Sequence, residues 1–328
     1  MRAVVIERFG EPAEVLRLAQ RPVPEPGPGE VRVAMTLSPI HNHDLAIVRG
    51  VYGYRPPLPA IPGTEAAGVV EAVGPGVDTV AAGQRVAVPG ARAAWAEFFL
   101  ARADQVVPLP PAVPDETACQ LLAMPLSTLL LLDDLGVAAG DWIAVNAANG
   151  AVGRLLNLFA RQRGVRVLSL VRDEAAARAL TELGHPSVVD TSAPGWRDEA
   201  AGITGGAPVV RAVDQVSGTA GADLLALLAP KGELISFGAL SGRPLELDTG
   251  ALIFKQAVVK GFWGQQRGAE IDAGTRVRLV TELLGLAATG TLRMAVAAEY
   301  PLDEAAEAAA ATERPGRNGK VLLHAGAR

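Results

Sequence analysis

The amino-acid sequence predicts an α/β chain in which a doubly wound parallel sheet is joined to a β-rich, barrel-like domain. Three observations carry this. From about Asp115 to Gly238 helical and strand patterns alternate, and parallel strands need long crossovers of that kind. Ahead of that stretch, short β-branched runs are separated by Pro and Gly turns, a pattern closer to a small barrel than to a βα repeat. Within the alternating part, Asn146-Ala147-Ala148-Asn149-Gly150-Ala151-Val152-Gly153 places small residues in a turn between an apolar strand and a helix.

Taken in order, the first elements are strands at Ala3 to Ile6, Glu30 to Met35, Gly68 to Val73, Arg85 to Val88 and Ala96 to Leu100, with turns such as Pro24-Glu25-Pro26-Gly27-Pro28-Gly29 between them. His41-Asn42-His43-Asp44 reads as extended chain, with His41 and His43 on one face. A helix over Thr117 to Leu135 leads to the strand Asp141 to Val145, the glycine turn, and a helix with Leu155, Leu156, Leu158 and Phe159 at helical spacing. There follow a strand Val165 to Arg172, helix Glu174 to Leu183, strands Ser187 to Asp190 and Val209 to Val216, helix Thr219 to Leu228 and strand Gly232 to Gly238. Helices Ala273 to Thr289 and Leu302 to Glu313 and strand Lys320 to His324 return the chain to the first domain.

The turn has the chemistry of a dinucleotide site. Ala148, Gly150 and Gly153 form A-x-G-x-x-G: the first two allow a tight turn and close approach to a pyrophosphate, and Gly153 lets helix pack on strand. The helix beginning near Ala151 and Val152 would aim its open amides and positive dipole end at the phosphates. Many such turns only connect elements, but here a strand precedes and a helix follows. About 20 residues later, where a carboxylate takes the ribose hydroxyls in NAD sites, the chain has Arg172. Its planar donor fork matches a 2′-phosphate, which points to NADPH. Asp173 is the competing candidate for a ribose contact.

Composition narrows the classes. A chain of 328 residues has a prior of about two domains. A net charge of −5 and pI of about 5.5 leave no basic footprint, so nucleic acid is not an expected partner. No apolar run reaches the roughly 18 residues of a membrane span, and the N-terminus does not read as a signal peptide. The one cysteine, Cys119, excludes an internal disulfide framework and reads as an inert packed thiol. A cytoplasmic location is expected.

Gly63-Thr64-Glu65-Ala66-Ala67-Gly68, with Gly74 and Val77 following, resembles the signature of the medium-chain dehydrogenase/reductase superfamily, and the nucleotide unit lies where that family has it. The resemblance implies a GroES-like catalytic domain at residues 1–118 plus 264–328 and a Rossmann domain at 119–263. It departs from the zinc alcohol dehydrogenases: Thr64 stands where they have a His ligand, His41 where they have a Cys, and Ala123 and Met124 where the third ligand falls. A structural zinc lobe needs four cysteines. A catalytic zinc needs three well-placed ligands, so no metal is expected. The chain resembles the zinc-free quinone oxidoreductases and 2-enoyl thioester reductases. His41, where those relatives usually carry Asn, is then expected to contact cofactor or substrate.

Several segments are similar to the 2-enoyl reductases. Tyr52, eight residues after Asp44, matches their proposed proton donor. Val171-Arg172-Asp173 matches their NADPH-phosphate run, and Leu252-Ile253-Phe254-Lys255, Gly261-Phe262-Trp263 and Asn146-Ala147-Ala148-Asn149 match others. The resemblance implies NADPH-dependent reduction of an activated carbon–carbon double bond. Tyr52 would be the acid and Trp263 would wall the pocket or hold the thioester. Phe237-Gly238-Ala239 and Phe262 would lie by the nicotinamide, since ligands sit at the carboxyl ends of parallel strands. Tyr52 as a loop-tip residue, Trp263 as a core cap, and Asp44 and Glu65 as loop anchors are the plainer readings. Reduction of quinones, and NADPH binding as a scaffold or sensor with little turnover, are the alternatives. The resemblance also implies a homodimer through the sheet edge around Gly232 to Leu252.

Overall fold

The computed structural model describes residues 1–326. It divides into two compact units, Met1–Leu126 with the chain from Val277 on, and Ser127–Arg276.

The first unit opens with β1 (Arg2–Val5), α1 (Pro12–Val15), β2 (Arg17–Gln20), β3 (Glu30–Pro39), α2 (Asn42–Arg49), β4 (Glu65–Val73), β5 (Arg85–Pro89), β6 (Phe98–Arg102), β7 (Val107–Pro108), α3 (Asp115–Ala118) and the first turn of α4 (Ala123–Leu135), whose remainder belongs to the second unit. The second holds β8 (Trp142–Val145), α5 (Ala151–Gln162), β9 (Arg166–Val171), α6 (Glu174–Glu182), β10 (Val188–Asp190), α7 (Trp196–Thr204), β11 (Val209–Asp214), α8 (Thr219–Leu227), β12 (Leu228–Ser236), α9 (Thr249–Lys255), β13 (Val258–Gly261), α10 (Gly264–Glu270) and the first turn of α11 (Ala273–Ala288), whose remainder belongs to the first unit. β14 (Val296–Pro301), α12 (Ala305–Glu313) and β15 (Lys320–His324) complete the first unit.

In the first unit a sheet runs in the order β14-β15-β3-β4-β5-β7, with β6 also on β3. Apart from the parallel β14–β15 pair, its ladders are antiparallel. Alternation along β3 puts Val31 and Val33 into a core with Trp95, Phe99 and Leu323, all fully buried or within 1% of it. Removing a side chain of that size from water contributes about 1.5–3 kcal/mol.

In the second unit six strands lie parallel in the order β10-β9-β8-β11-β12-β13. The chain starts at β8, works outward through β9 and β10, then returns to lay β11 against the other side of β8. This is the Rossmann order, and its reversal between β8 and β11 opens a crevice at the carboxyl ends of those strands.

Four differences from the sequence reading have physical reasons. His41 to Asp44 is not extended chain: His41 is the N-cap of α2, the Asp44 carboxylate accepts the His41 amide at 2.8 Å, and Leu45, Ile47 and Val48 face inward. The helix expected over Thr117 to Leu135 is broken between α3 and α4, because the Leu122 and Ala123 amides donate to Glu65 rather than continuing a helix. α1, β2, β7, α7, α9, β13, α10 and β14 have no counterpart in the sequence reading, being short or irregular in pattern. The units divide at Leu126/Ser127 and Arg276/Val277, inside α4 and α11, whereas the sequence places the boundaries at 118/119 and 263/264. Among the described residues no helix is long and apolar enough to cross a membrane.

Candidate functional site

At the carboxyl end of β8 the chain turns through Ala147, whose φ is +46°, and the Gly150 amide bonds back to the Ala147 carbonyl at 2.9 Å. α5 starts at Ala151 with Gly150 as an N-cap that has no capping side chain. The first-turn amides of Ala151, Val152 and Gly153 are therefore open at the positive end of a helix of 12 residues. Gly153 has no room for a side chain: a Cβ would stand 2.5 Å from the backbone of buried Ala148. Asn149 sits in the turn between them.

Asn146 faces inward. Its Nδ2 donates to Asp214 Oδ1 at 2.6 Å, its Oδ1 accepts the Gln215 amide at 2.7 Å, and its carbonyl accepts Gln215 Nε2 at 2.8 Å. Asp214 Oδ1 also accepts the Val216 and Ser217 amides, both at 2.9 Å. The network clamps the ends of β8 and β11 at the topological reversal. Asp214 and Gln215 were not singled out from the sequence, although a polar pair closing an apolar strand is the signal that marks them.

At the end of β9, Arg172 is exposed. Asp173 is engaged elsewhere: it caps α6, its Oδ1 accepting the Ala176 amide at 2.8 Å. Both side chains are exposed at this strand end, the carboxylate turned to the helix cap through Oδ1 and the guanidinium of a kind that suits a phosphate. Small residues against the turn, open helix amides and Arg172 fit a dinucleotide carrying a 2′-phosphate.

Strands β12 and β13 end side by side, Ser236 opposite Gly261, so Phe237 and Phe262 stack with ring centroids 5.7 Å apart. The Phe237 and Gly238 amides bond to the Asp214 carbonyl at 2.8 and 3.1 Å. Ala239 follows as an exposed residue, and Trp263, 45% exposed, is the N-cap of α10.

The first unit assembles a different cluster. Glu65, at the start of β4 and fully buried, accepts the Leu122 and Ala123 amides on Oε1 at 2.8 and 2.7 Å. Its Oε2 lies 2.8 Å from His41 Nε2. Thr64 Oγ1 donates to Asp44 Oδ1 at 2.7 Å and lies 2.7 Å from His43 Nε2. The His41 and His43 rings stack at 4.8 Å, and the Tyr52 ring lies 5.7 Å from His43. Tyr52 is half-buried in the loop after α2. That loop departs through Gly50, whose φ of +72° closes the helix and whose Cβ would meet Phe9 at 2.8 Å.

Burial dominates the electrostatics. It pushes the Glu65 carboxyl up to about 7 against the pull of the two amides, and holds His41 well below its usual range. Lys320 of β15, also buried, is pushed down to about 8. Burial thus favours a neutral His41 ring, whose Nε2 is in hydrogen-bond contact with Glu65 Oε2 and whose Nδ1 is buried without a partner. The sequence placed His41 beside the cofactor; in the structure its ring, 1% exposed, faces Glu65 inside the first unit.

Of the three positions compared with the zinc alcohol dehydrogenases, only His41 carries a side chain of zinc-ligating type; Thr64 donates to Asp44, His41 lies against Glu65, and Ala123 offers its amide to Glu65.

Two family descriptions match: "Alcohol dehydrogenase GroES-like domain" over residues 27–111 and "Zinc-binding dehydrogenase" over residues 151–278. The chain is 30% identical to the mitochondrial enoyl-[acyl-carrier-protein] reductase of Xenopus tropicalis over 98% of its own length and 95% of that protein. It is similar to the Escherichia coli quinone oxidoreductase complexed with NADPH, with a TM-score of 0.89, 28% identity, and 99% and 100% of the two chains covered. A mycobacterial structure complexed with NADPH matches with a TM-score of 0.85, 30% identity, and 99% and 100% coverage.

Proposed function

The chain belongs to the medium-chain dehydrogenase/reductase superfamily, in the branch of quinone oxidoreductases and enoyl reductases, and from that premise we propose that this NADPH-dependent oxidoreductase reduces an activated carbon–carbon double bond, in a 2-enoyl thioester or enone, without zinc. When bound, NADPH supplies a hydride to the carbon β to the substrate carbonyl. The open amides of Ala151 to Gly153 hold its pyrophosphate and Arg172 its 2′-phosphate. Phe237, Gly238, Ala239 and Phe262 flank the nicotinamide, and Trp263 bounds the substrate.

The observation that carries the reading is Tyr52, a phenol in the loop after α2, beside an imidazole already tied into a hydrogen-bonded chain. Hydride addition leaves enolate charge on the substrate carbonyl and a need for one proton at the α-carbon. A phenol with pKa near 10 is a competent acid for that step, and a positioned acid contributes about 10²–10⁴-fold. Zinc has no part in the reading because the first unit's donors are engaged with one another.

Quinone reduction is the second reading, favoured by the likeness to the Escherichia coli enzyme; it needs no committed proton donor. NADPH oxidation, with NADH in parallel, is the test, against crotonyl-CoA, a longer 2-enoyl-CoA and a simple quinone after metal chelation. NADPH-specific enoyl turnover that survives chelation is expected. Turnover of quinone alone selects the second reading, and nucleotide binding with no turnover selects a scaffold or sensor.

The reading includes a homodimer. The edge is not the strand from Gly232 that the sequence suggested, since β12 is paired on both sides; it is β13, and α9, which precedes β13 in the chain, exposes Ile253 at 60% and Phe254 at 87%. An unpaired edge with apolar neighbours suits a second copy of the chain. The cytoplasmic location expected from the sequence is retained, and fractionation tests it, since the Xenopus relative is named as mitochondrial.

A further inference from the structure

The bonds around Thr64 fix which nitrogen of His43 handles protons. Thr64 has one hydroxyl proton, and it goes to Asp44 Oδ1. Toward His43 Nε2, 2.7 Å away, Thr64 Oγ1 is therefore an acceptor, and Nε2 carries the hydrogen. Nδ1 is left as the nitrogen that takes up and releases protons. Asp44 is held rigidly, its side chain fully buried and its Oδ2 accepting the His41 amide at the start of α2. A carboxylate–hydroxyl–imidazole chain of this kind orients the ring and stabilises an imidazolium when one forms. The His43 side chain is 21% exposed, and its ring centroid is 5.7 Å from that of Tyr52, a separation that direct contact or one water spans.

We propose that His43 is the positioning residue that returns the proton to Tyr52 after each turnover, acting through Nδ1 while Thr64 and Asp44 hold Nε2. The inference rests on the reading of Tyr52 as the acid. In the reduction the substrate α-carbon takes the phenol proton, leaving a phenolate on Tyr52. An acid from solvent, hydronium or a buffer cation, then gives a proton to His43 Nδ1 and forms an imidazolium. That proton passes to the phenolate oxygen, restoring phenol and neutral imidazole. One proton enters from solvent and one leaves in product; no electrons move in the relay.

The charged groups that face the ring are Asp44 of α2, Glu65 of β4 and Lys320 of β15, with His41 stacked against it. Burial is the largest influence and keeps the ring neutral near pH 7, so each proton it accepts is readily handed on.

The test uses full-length wild type and the variants His43→Asn and Thr64→Val in two measurements. Nitrogen-15 NMR of labelled histidine should find His43 as the Nε2–H tautomer in wild type and a mixture of tautomers in Thr64→Val. In NADPH-dependent reduction of crotonyl-CoA, His43→Asn should lose at least tenfold in kcat with KM for NADPH within twofold. Its kcat should then rise in proportion to added imidazole buffer, which wild type should not show. A wild-type Nδ1–H tautomer, an unchanged kcat in His43→Asn, or a loss indifferent to imidazole overturns the relay alone. A wild-type enzyme without enoyl turnover overturns the function reading and the relay with it.

Discussion

The glycine turn of the second unit and the polar cluster of the first are built in opposite ways. The turn is contiguous, Asn146 to Gly153; past the Asn146 clamp it presents open backbone amides and leaves no room for a side chain at Gly153. The cluster draws His41, His43 and Asp44 from α2, Thr64 and Glu65 from the start of β4, two amides from the break before α4, and Lys320 from β15. A site made of backbone tolerates variation in everything except bulk. A site made of buried side chains depends on each partner, because an abandoned donor or acceptor keeps its desolvation cost.

The widest test of this contrast is Tyr52→Phe, which removes one oxygen from the first unit. Enoyl turnover should fall about 10²–10⁴-fold, the range for a positioned acid, while NADPH binding followed by fluorescence stays within twofold. An equal loss of quinone turnover would make Tyr52 a packing residue instead. Next is Glu65→Ala, which strands two buried amides and the His41 ring. At about 1–3 kcal/mol per unsatisfied group, the chain should lose about 3 kcal/mol or more in urea unfolding. A loss under 1 kcal/mol would show that water or a rearranged backbone replaces the carboxylate.

On the nucleotide side, Arg172→Ala should cut the preference for NADPH over NADH about 10- to 100-fold, the worth of a charge-assisted phosphate contact of about 1.5–3 kcal/mol. kcat with saturating NADPH should hardly move. Asp173→Ala should cost about 1 kcal/mol of stability as a lost helix cap and leave the cofactor ratio alone. If the cofactor ratio follows Asp173 rather than Arg172, the strand end recognises a ribose.

The cluster also predicts a pH signature. Glu65 is raised in the folded state to about 7 from an ordinary 4.5, so its contribution to stability is full below pH 4.5 and is lost as pH rises through 7. Lys320 is lowered to about 8 from 10.5, so its contribution is present above 10.5 and lost as pH falls through 8. His41, held below 6.5 by burial, opposes Glu65 at the acid end. The difference in Tm between wild type and Glu65→Gln should therefore drift against wild type from pH 4.5 to 7 and then level. Lys320→Met should remove the rise between pH 8 and 10.5. A flat difference in both would mean that neither group is desolvated as the structure has it.

The same contrast decides what the sequence could reveal. The parallel sheet, its glycine turn and Arg172 were legible because period, spacing and small residues are local properties. Phe237 and Phe262 could be placed at strand ends, but their stacking needed the register of β12 against β13. Asn146 is assigned to the cofactor by the resemblance of Asn146-Ala147-Ala148-Asn149 to the 2-enoyl reductases, and only the fold shows its amide group clamping Asp214 and Gln215. His41 and His43 looked like two residues on one strand face; a cap and a helix start bring their rings together instead. The partners of Glu65 lie 57 and 58 residues away in sequence, a pairing that no periodicity encodes.

The central claim, a committed acid in the first unit serving hydride chemistry driven by NADPH, is tested most directly by one comparison. Wild type and Tyr52→Phe are assayed side by side for NADPH oxidation with crotonyl-CoA and with a quinone. Wild type should turn over crotonyl-CoA, and the variant should lose that turnover at least a hundredfold while quinone turnover persists. Equal rates for the two proteins on crotonyl-CoA, or no turnover of it by wild type, would contradict it.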